Sequence, residues 1–165
     1  MAHPARLQIM SLLTGSALTA AEVGRELGLT HANASYHLRT LLAGGLIVVA
    51  GEEKIRGGVA KRYRYQWDHD RDEPQRRSPQ SPEQTRMEFA AVAHELIRRT
   101  QSAQFPPGPK LMADADLWVE PEKWVDYRTR VADAVRELHD AARPPRTPGT
   151  IRTSTTVAMF EMEKD

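Results

Sequence analysis

The stretch Leu18-Thr19-Ala20-Ala21-Glu22-Val23-Gly24-Arg25-Glu26-Leu27-Gly28-Leu29-Thr30-His31-Ala32-Asn33-Ala34-Ser35-Tyr36-His37-Leu38-Arg39-Thr40-Leu41-Leu42-Ala43-Gly44-Gly45 decides how the chain folds. It carries start and stop signals for two helices in immediate succession. Thr19 is a hydroxyl N-cap, and Glu22 three residues later completes a capping box in which each residue takes up the other's orphan amide. Gly28 ends that helix, because only glycine enters the left-handed conformation of a helix C-terminus without strain. Thr30 then caps a second helix over residues 31–43, which the pair Gly44-Gly45 stops. Only Gly28-Leu29-Thr30 separates the two, so the helices must meet at a tight angle in a helix-turn-helix.

The flanking sequence extends this pair in both directions. Upstream, Pro4 sits at a first-turn position and Leu7, Met10 and Leu13, with Ile9 and Leu12 beside them, recur at helical spacing as far as Gly15. Downstream, residues 46–50 are β-rich, 51–60 read as a loop, and 61–67 read as a second strand. In that strand Tyr63, Tyr65 and Trp67 alternate with Arg62, Arg64 and Gln66. The expected hairpin has an aromatic side and a basic side.

On the helix over 31–43, Ala34, His37, Leu38 and Leu41 fall on one face, which leaves Ala32, Ser35, Tyr36 and Arg39 on the other. The free face offers a hydroxyl, a phenol and a guanidinium, groups that hydrogen-bond phosphates and base edges, and Arg39 can grip a guanine with two bonds. Asn33 suits adenine or phosphate, and His31 lies at the helix start, where exposed amides favour anions. A solvated surface helix would look similar. What favours a nucleic-acid surface is the hairpin, where Lys54, Arg56, Lys61, Arg62 and Arg64 gather five cations around a glycine-rich tip.

Four segments, in order and spacing, carry a resemblance: His3-Pro4-Ala5-Arg6-Leu7-Gln8-Ile9-Met10, the run from Leu18 to Gly28, Ala34-Ser35-Tyr36-His37-Leu38-Arg39-Thr40-Leu41, and Gly44-Gly45-Leu46-Ile47. Over residues 3–67 the chain resembles the winged helix-turn-helix of ArsR-type bacterial transcriptional regulators. The resemblance implies a homodimer on double-stranded operator DNA, usually a repressor, with the helix from His31 in the major groove and the wing at the backbone or minor groove. It implies DNA contacts at Asn33, Ser35, Tyr36, Arg39, Arg56, Lys61 and Arg62, to which the charge reading adds His31 and Lys54. Archetypes of that family sense metals through cysteine or histidine-carboxylate ligands. This chain has no cysteine, which excludes every thiolate site together with disulfides and thiol catalysis.

The second half reads differently. Residues 68–82 hold three prolines, seven charges and no apolar side chain, the composition of a linker. A long helix is expected over 82–104. One stripe holds Met87, Ala90, Ala91, His94 and Ile97; a second holds Phe89, Val92, Ala93 and Leu96. Two apolar faces call for two partners, one within the chain and one in a second subunit. A short strand over 114–119, a helix opened by Pro121 and a β-rich run over 151–162 complete the expectation. The fold class is therefore mainly α with small β: a winged helix-turn-helix over 1–67, a linker over 68–82, and a dimerisation region over 83–165, a candidate for effector response with a two-stranded element of its own.

Composition bounds the function. The chain has 165 residues, 40% hydrophobic and 27% charged, and no apolar run near the roughly 20 residues a membrane span needs. Its N-terminal residues lack the apolar block of a signal peptide, so the cytoplasm is the expected location. Residues 1–67 carry a balance of +4 and the remainder −3, an anion-binding half joined to a mildly acidic one. No nucleophile elbow, phosphate loop, zincin or paired-carboxylate signature occurs, so neither enzyme activity nor a cofactor is expected.

Two alternatives remain open: a divalent-metal sensor using histidine and carboxylate, and a protein-interaction module that keeps the winged shape without reading DNA. For the first, Asp68-His69-Asp70 with Asp72 groups hard ligands in a linker, while His94 and His139 stand singly and His37 belongs to the packed side of its helix. Trp118, Trp124 and Phe160 are read as core ahead of a small-molecule pocket.

Overall fold

The computed structural model describes residues 4–66, 81–105 and 111–162. Among them are five helices and one two-stranded antiparallel sheet: α1 (Pro4–Gly15), α2 (Ala20–Leu27), α3 (His31–Ala43), β1 (Val48–Ile55), β2 (Gly58–Arg64), α4 (Pro82–Gln101) and α5 (Pro121–Asp140). No helix is long and apolar enough to cross a membrane among the described residues.

The caps form as their sequence dictates. The Thr19 amide donates to Glu22 Oε2 at 2.7 Å and the Glu22 amide donates to Thr19 Oγ1 at 3.3 Å, closing the capping box of α2. Gly28 ends the helix at φ 67°. The turn that follows is tight enough for the Leu29 amide to reach the Gly24 carbonyl at 2.8 Å. A Cβ on residue 24 would lie 2.8 Å from the Leu29 carbonyl oxygen, so the close approach of α2 and the turn depends on a glycine there. Thr30 caps α3 by accepting from the Asn33 amide at 3.2 Å.

One apolar core serves these three helices and the hairpin. Ile9 and Leu13 from α1, Val23 from α2, and Ala34, Leu38 and Leu41 from α3 are buried together with Leu18, Ile47 and Tyr63. The buried face of α3 is the one its spacing specifies: Ala34, His37, Leu38 and Leu41.

The hairpin is longer and tighter than the sequence suggests. Its strands pair from Val48↔Arg64 to Ile55↔Gly58, with an irregularity between Val49 and Gly51, so only Arg56 and Gly57 form the turn. The expected loop over 51–60 is thus mostly ladder. Both faces of β1 beyond Val48 are exposed, so no apolar alternation marks it as a strand. At its base the hairpin is clamped to the α1–α2 connection. Leu18 and Tyr63 exchange backbone hydrogen bonds of 3.0 and 2.8 Å, and the Tyr65 amide donates to the Leu13 carbonyl at 3.2 Å. Tyr63 turns inward and Tyr65 is half-buried, as the aromatic side of the hairpin requires; Trp67 lies outside the described residues.

Among the described residues, the second half contributes two long helices and no second sheet. Ser81 and Gln84 form a capping box at the start of α4, which opens at Pro82, where the long helix is expected. The rest of that linker, with Asp68, His69, Asp70 and Asp72, lies outside the described residues. The runs 114–119 and 151–162 have no ladder partner among the described residues, so the second β element does not form there. Segment 151–162 instead lies against α4, where Phe160 meets Phe89 edge-on at 5.1 Å and Arg99 donates to the Ser154 hydroxyl.

Candidate nucleic-acid interface

Because α3 spends Ala34, His37, Leu38 and Leu41 on the core, its remaining side chains face outward. His31, Asn33 and Arg39 are exposed, Ser35 is half-buried, and Tyr36 is 55% exposed despite its size. An aromatic ring left this open costs solvation unless something covers it. Tyr36 is held edge-on against His37 at 5.5 Å, and the Arg39 Nε donates to the Ser35 carbonyl at 3.3 Å, so both side chains have preferred positions before any partner arrives. The first turn of α3 has no acidic residue, which leaves its N-terminal dipole available to an anion.

The wing follows directly. Lys54, Arg56 and Lys61 are exposed, as is Arg64, and none of the four has an ion-pair partner among the described residues. Lys61 stands opposite Glu52 in the ladder, so part of its charge is offset locally. Arg56 is at the tip itself, next to Gly57 at φ 98°.

Arg62 has a different occupation from the one expected of it. Its Nε and Nη2 donate to the Ala17 carbonyl at 3.2 and 2.6 Å, its Nη1 donates to Glu53, and Nη2 lies 3.5 Å from Glu22 Oε2. Every arm of the guanidinium is engaged inside the molecule. Burial pushes the Glu22 carboxyl up, but the Thr19 amide and hydroxyl and the Arg62 charge outweigh it and hold the pKa below the usual value. Arg62 therefore ties β2 to the start of α2 and to the connection before it, fixing where the wing stands relative to α3.

Thus His31, Asn33, Ser35, Tyr36 and Arg39 lie together on one element, and Lys54, Arg56 and Lys61 lie together on the next. Arg64 is exposed on the same wing, and one cation that the expectation leaves out is Arg25 in the last turn of α2, exposed just before the helix-turn-helix joint. Arg64 is visible in the alternation of β2. Arg25 has no sequence signal beyond its place in the helix that precedes a reading helix.

Where a metal is concerned, no group of three His, Asp or Glu side chains comes together among the described residues. Trp118 is 86% exposed, so Trp118, Trp124 and Phe160 do not form a shared core as expected.

Residues 1–50 match the family described as a helix-turn-helix domain. The match spans the three helices and the first residues of β1, under a third of the chain, and it is not specific to the ArsR type. It is a kind of domain characteristic of DNA-binding transcription regulators. No curated relative matches the chain.

Proposed function

We propose that the protein is a sequence-specific transcription regulator that binds an inverted-repeat operator as a homodimer, and that it acts as a repressor, as the ArsR resemblance implies. The observation that carries this reading is the pairing of an open α3 face with a wing whose exposed cations have no ion-pair partner among the described residues. Tyr36 and Arg39, with Asn33 and Ser35, read base edges in the major groove, while His31 and the α3 amides take a phosphate. Lys54, Arg56, Lys61 and Arg64 neutralise the backbone on either side of the groove. Arg25, on the helix that crosses the backbone in this motif, adds one more contact. Arg62 acts by holding the wing in place.

What α4 leaves uncovered supports the dimer. The face that carries Met87 and Ile97 is exposed, and α5 buries none of its residues in one protomer. A second copy provides the same face in return, the self-complementary arrangement of a two-fold interface. Two α3 helices related by that axis reach half-sites about one helical turn apart.

The test is affinity against salt. If two protomers neutralise about eight phosphates, log K falls against log[salt] with a slope near −7. A salt-independent or absent interaction with DNA removes the reading and favours a protein-interaction module.

A further inference from the structure

Between α1, α4, α5 and the segment 155–159 lies an open cavity of about 450 Å³. This is within the range of pockets that hold small organic molecules, roughly 300–1,000 Å³. Its walls are chiefly apolar: Leu7 and Met10 from α1, Val92 from α4, Val131 and Val135 from α5, and Met159.

Three charged side chains set its electrostatics, and they are not equivalent. Glu95 is buried at 6% exposure and accepts from Arg98 at 2.7 and 2.6 Å, from Arg99 at 2.9 Å and from Gln8 at 3.2 Å, so its charge is fully compensated. Arg99 is equally committed, with its remaining arms on Ser11 of α1 and Ser154. It acts as a post that holds three walls apart. Arg128 lines the same cavity, is exposed to solvent, and has no ion-pair partner among the described residues. An apolar chamber edged by a guanidinium that no described carboxylate pairs is complementary to a molecule that is apolar along its body and anionic at one end.

We propose that this cavity is a binding site for a small amphipathic organic anion, with the apolar body against α1, α4 and α5 and the anionic group on Arg128. Ile9 and Leu13, on the other side of α1, belong to the core that also holds Leu38 of α3. One helix thus borders both the ligand chamber and the core behind the reading face. The site stands independently of the DNA-binding reading, so its test contains no DNA.

Decanoate is titrated into the full-length protein by calorimetry, with decanol as the uncharged competitor. The expected result is saturable binding of one decanoate per protomer, with decanol displacing it only at about tenfold higher concentration or more. In Arg128→Gln, a change at an exposed position that leaves the fold intact, decanoate loses that advantage, and Arg128→Lys restores part of it. Ala132→Trp, which fills the chamber from α5, abolishes binding of both while circular dichroism stays that of the parent. Absence of decanoate binding, equal binding by Arg128→Gln and the parent, or undiminished binding by a folded Ala132→Trp protein each overturns the proposal. The last of these places the ligand on the exposed apolar face of α4.

Discussion

The first 63 residues and the two long helices differ in how they use apolar side chains. From Ile9 to Tyr63, nine apolar residues bury one another in a single core supplied by three helices and a hairpin. Helices α4 and α5 have 20 residues each, and the one side chain they bury is Glu95. Large apolar groups in the second half stay in water, Trp118, Leu111 and Met112 among them. The difference is one of completeness. Burial of apolar area is the main force holding a domain together, so the first region has what it needs within one chain. The second leaves large apolar side chains exposed, which the proposed dimer would cover.

The sharpest way to break that comparison is to separate the halves. A chain ending at Gln66 is expected to keep cooperative thermal unfolding and to sediment as a monomer, and the full-length protein is expected to sediment as a dimer. Operator affinity then falls by orders of magnitude, because one half-site supplies only part of the contact free energy. A truncated protein that stays dimeric places the interface inside the winged domain. One that unfolds without a transition shows that the core is not self-sufficient.

A smaller effect probes the seam between the halves. Three charge-assisted bonds from Arg98 and Arg99 outweigh the cost of burying Glu95, and with the Gln8 bond they hold its pKa down to about 2. A carboxylate with a depressed folded-state pKa adds stability that is fully present above its unfolded value, near 4.5, and is lost as pH falls toward 2. Glu95→Gln is therefore expected to cost about 2 kcal/mol at pH 7 and progressively less below pH 4.5. Chemical denaturation across this range measures it. A constant difference at every pH shows that Glu95 is not the group responsible.

Within the first region, Arg62 and Lys61 are neighbours with opposite duties. Arg62→Ala gives up the Ala17 carbonyl and two partly exposed ion pairs, and is expected to lower stability by about 1 kcal/mol while leaving the salt slope of DNA binding unchanged. Lys61→Ala is expected to leave stability within about 0.5 kcal/mol and to make the slope shallower by about one unit per subunit. If Arg62→Ala flattens the slope as Lys61→Ala does, the guanidinium leaves its internal partners to bind phosphate.

What the sequence made legible follows the same division. The caps at Thr19 and Thr30, the stop at Gly28 and the inward face of α3 are local features, written in residues three or four apart, and the structure has them where spacing puts them. The wing strands were partly hidden because Gly51-Glu52-Glu53-Lys54 has solvent on both faces and so no alternation. Residues 151–162 misled for the converse reason: β-rich composition describes a side-chain preference, and a strand still needs a partner with a free edge. The role of Arg62 was illegible, since its carbonyl partner lies 45 residues away in the chain. Glu95 had a fainter signal, a lone acid amid Val92, Ala93 and Leu96 with Arg98 and Arg99 three and four residues on. The cavity had no sequence signal, because it lies where α1 meets α4 and α5, a junction that no local pattern records.

The central claim is that the open face of α3 reads sequence while the wing supplies charge. The most direct test is selection of bound sites from a random DNA pool by the parent protein, Arg39→Ala and Arg56→Ala, with affinities measured on the selected and on random DNA. The account predicts an inverted repeat for the parent. For Arg39→Ala it predicts a loss of about 1–3 kcal/mol confined to specific sites, with preference relaxed at one position in each half-site, symmetrically. For Arg56→Ala it predicts the parent's preferences and a uniform weakening on all DNA. Equal weakening of specific and random DNA by Arg39→Ala would contradict it, and would make α3 a positioning helix.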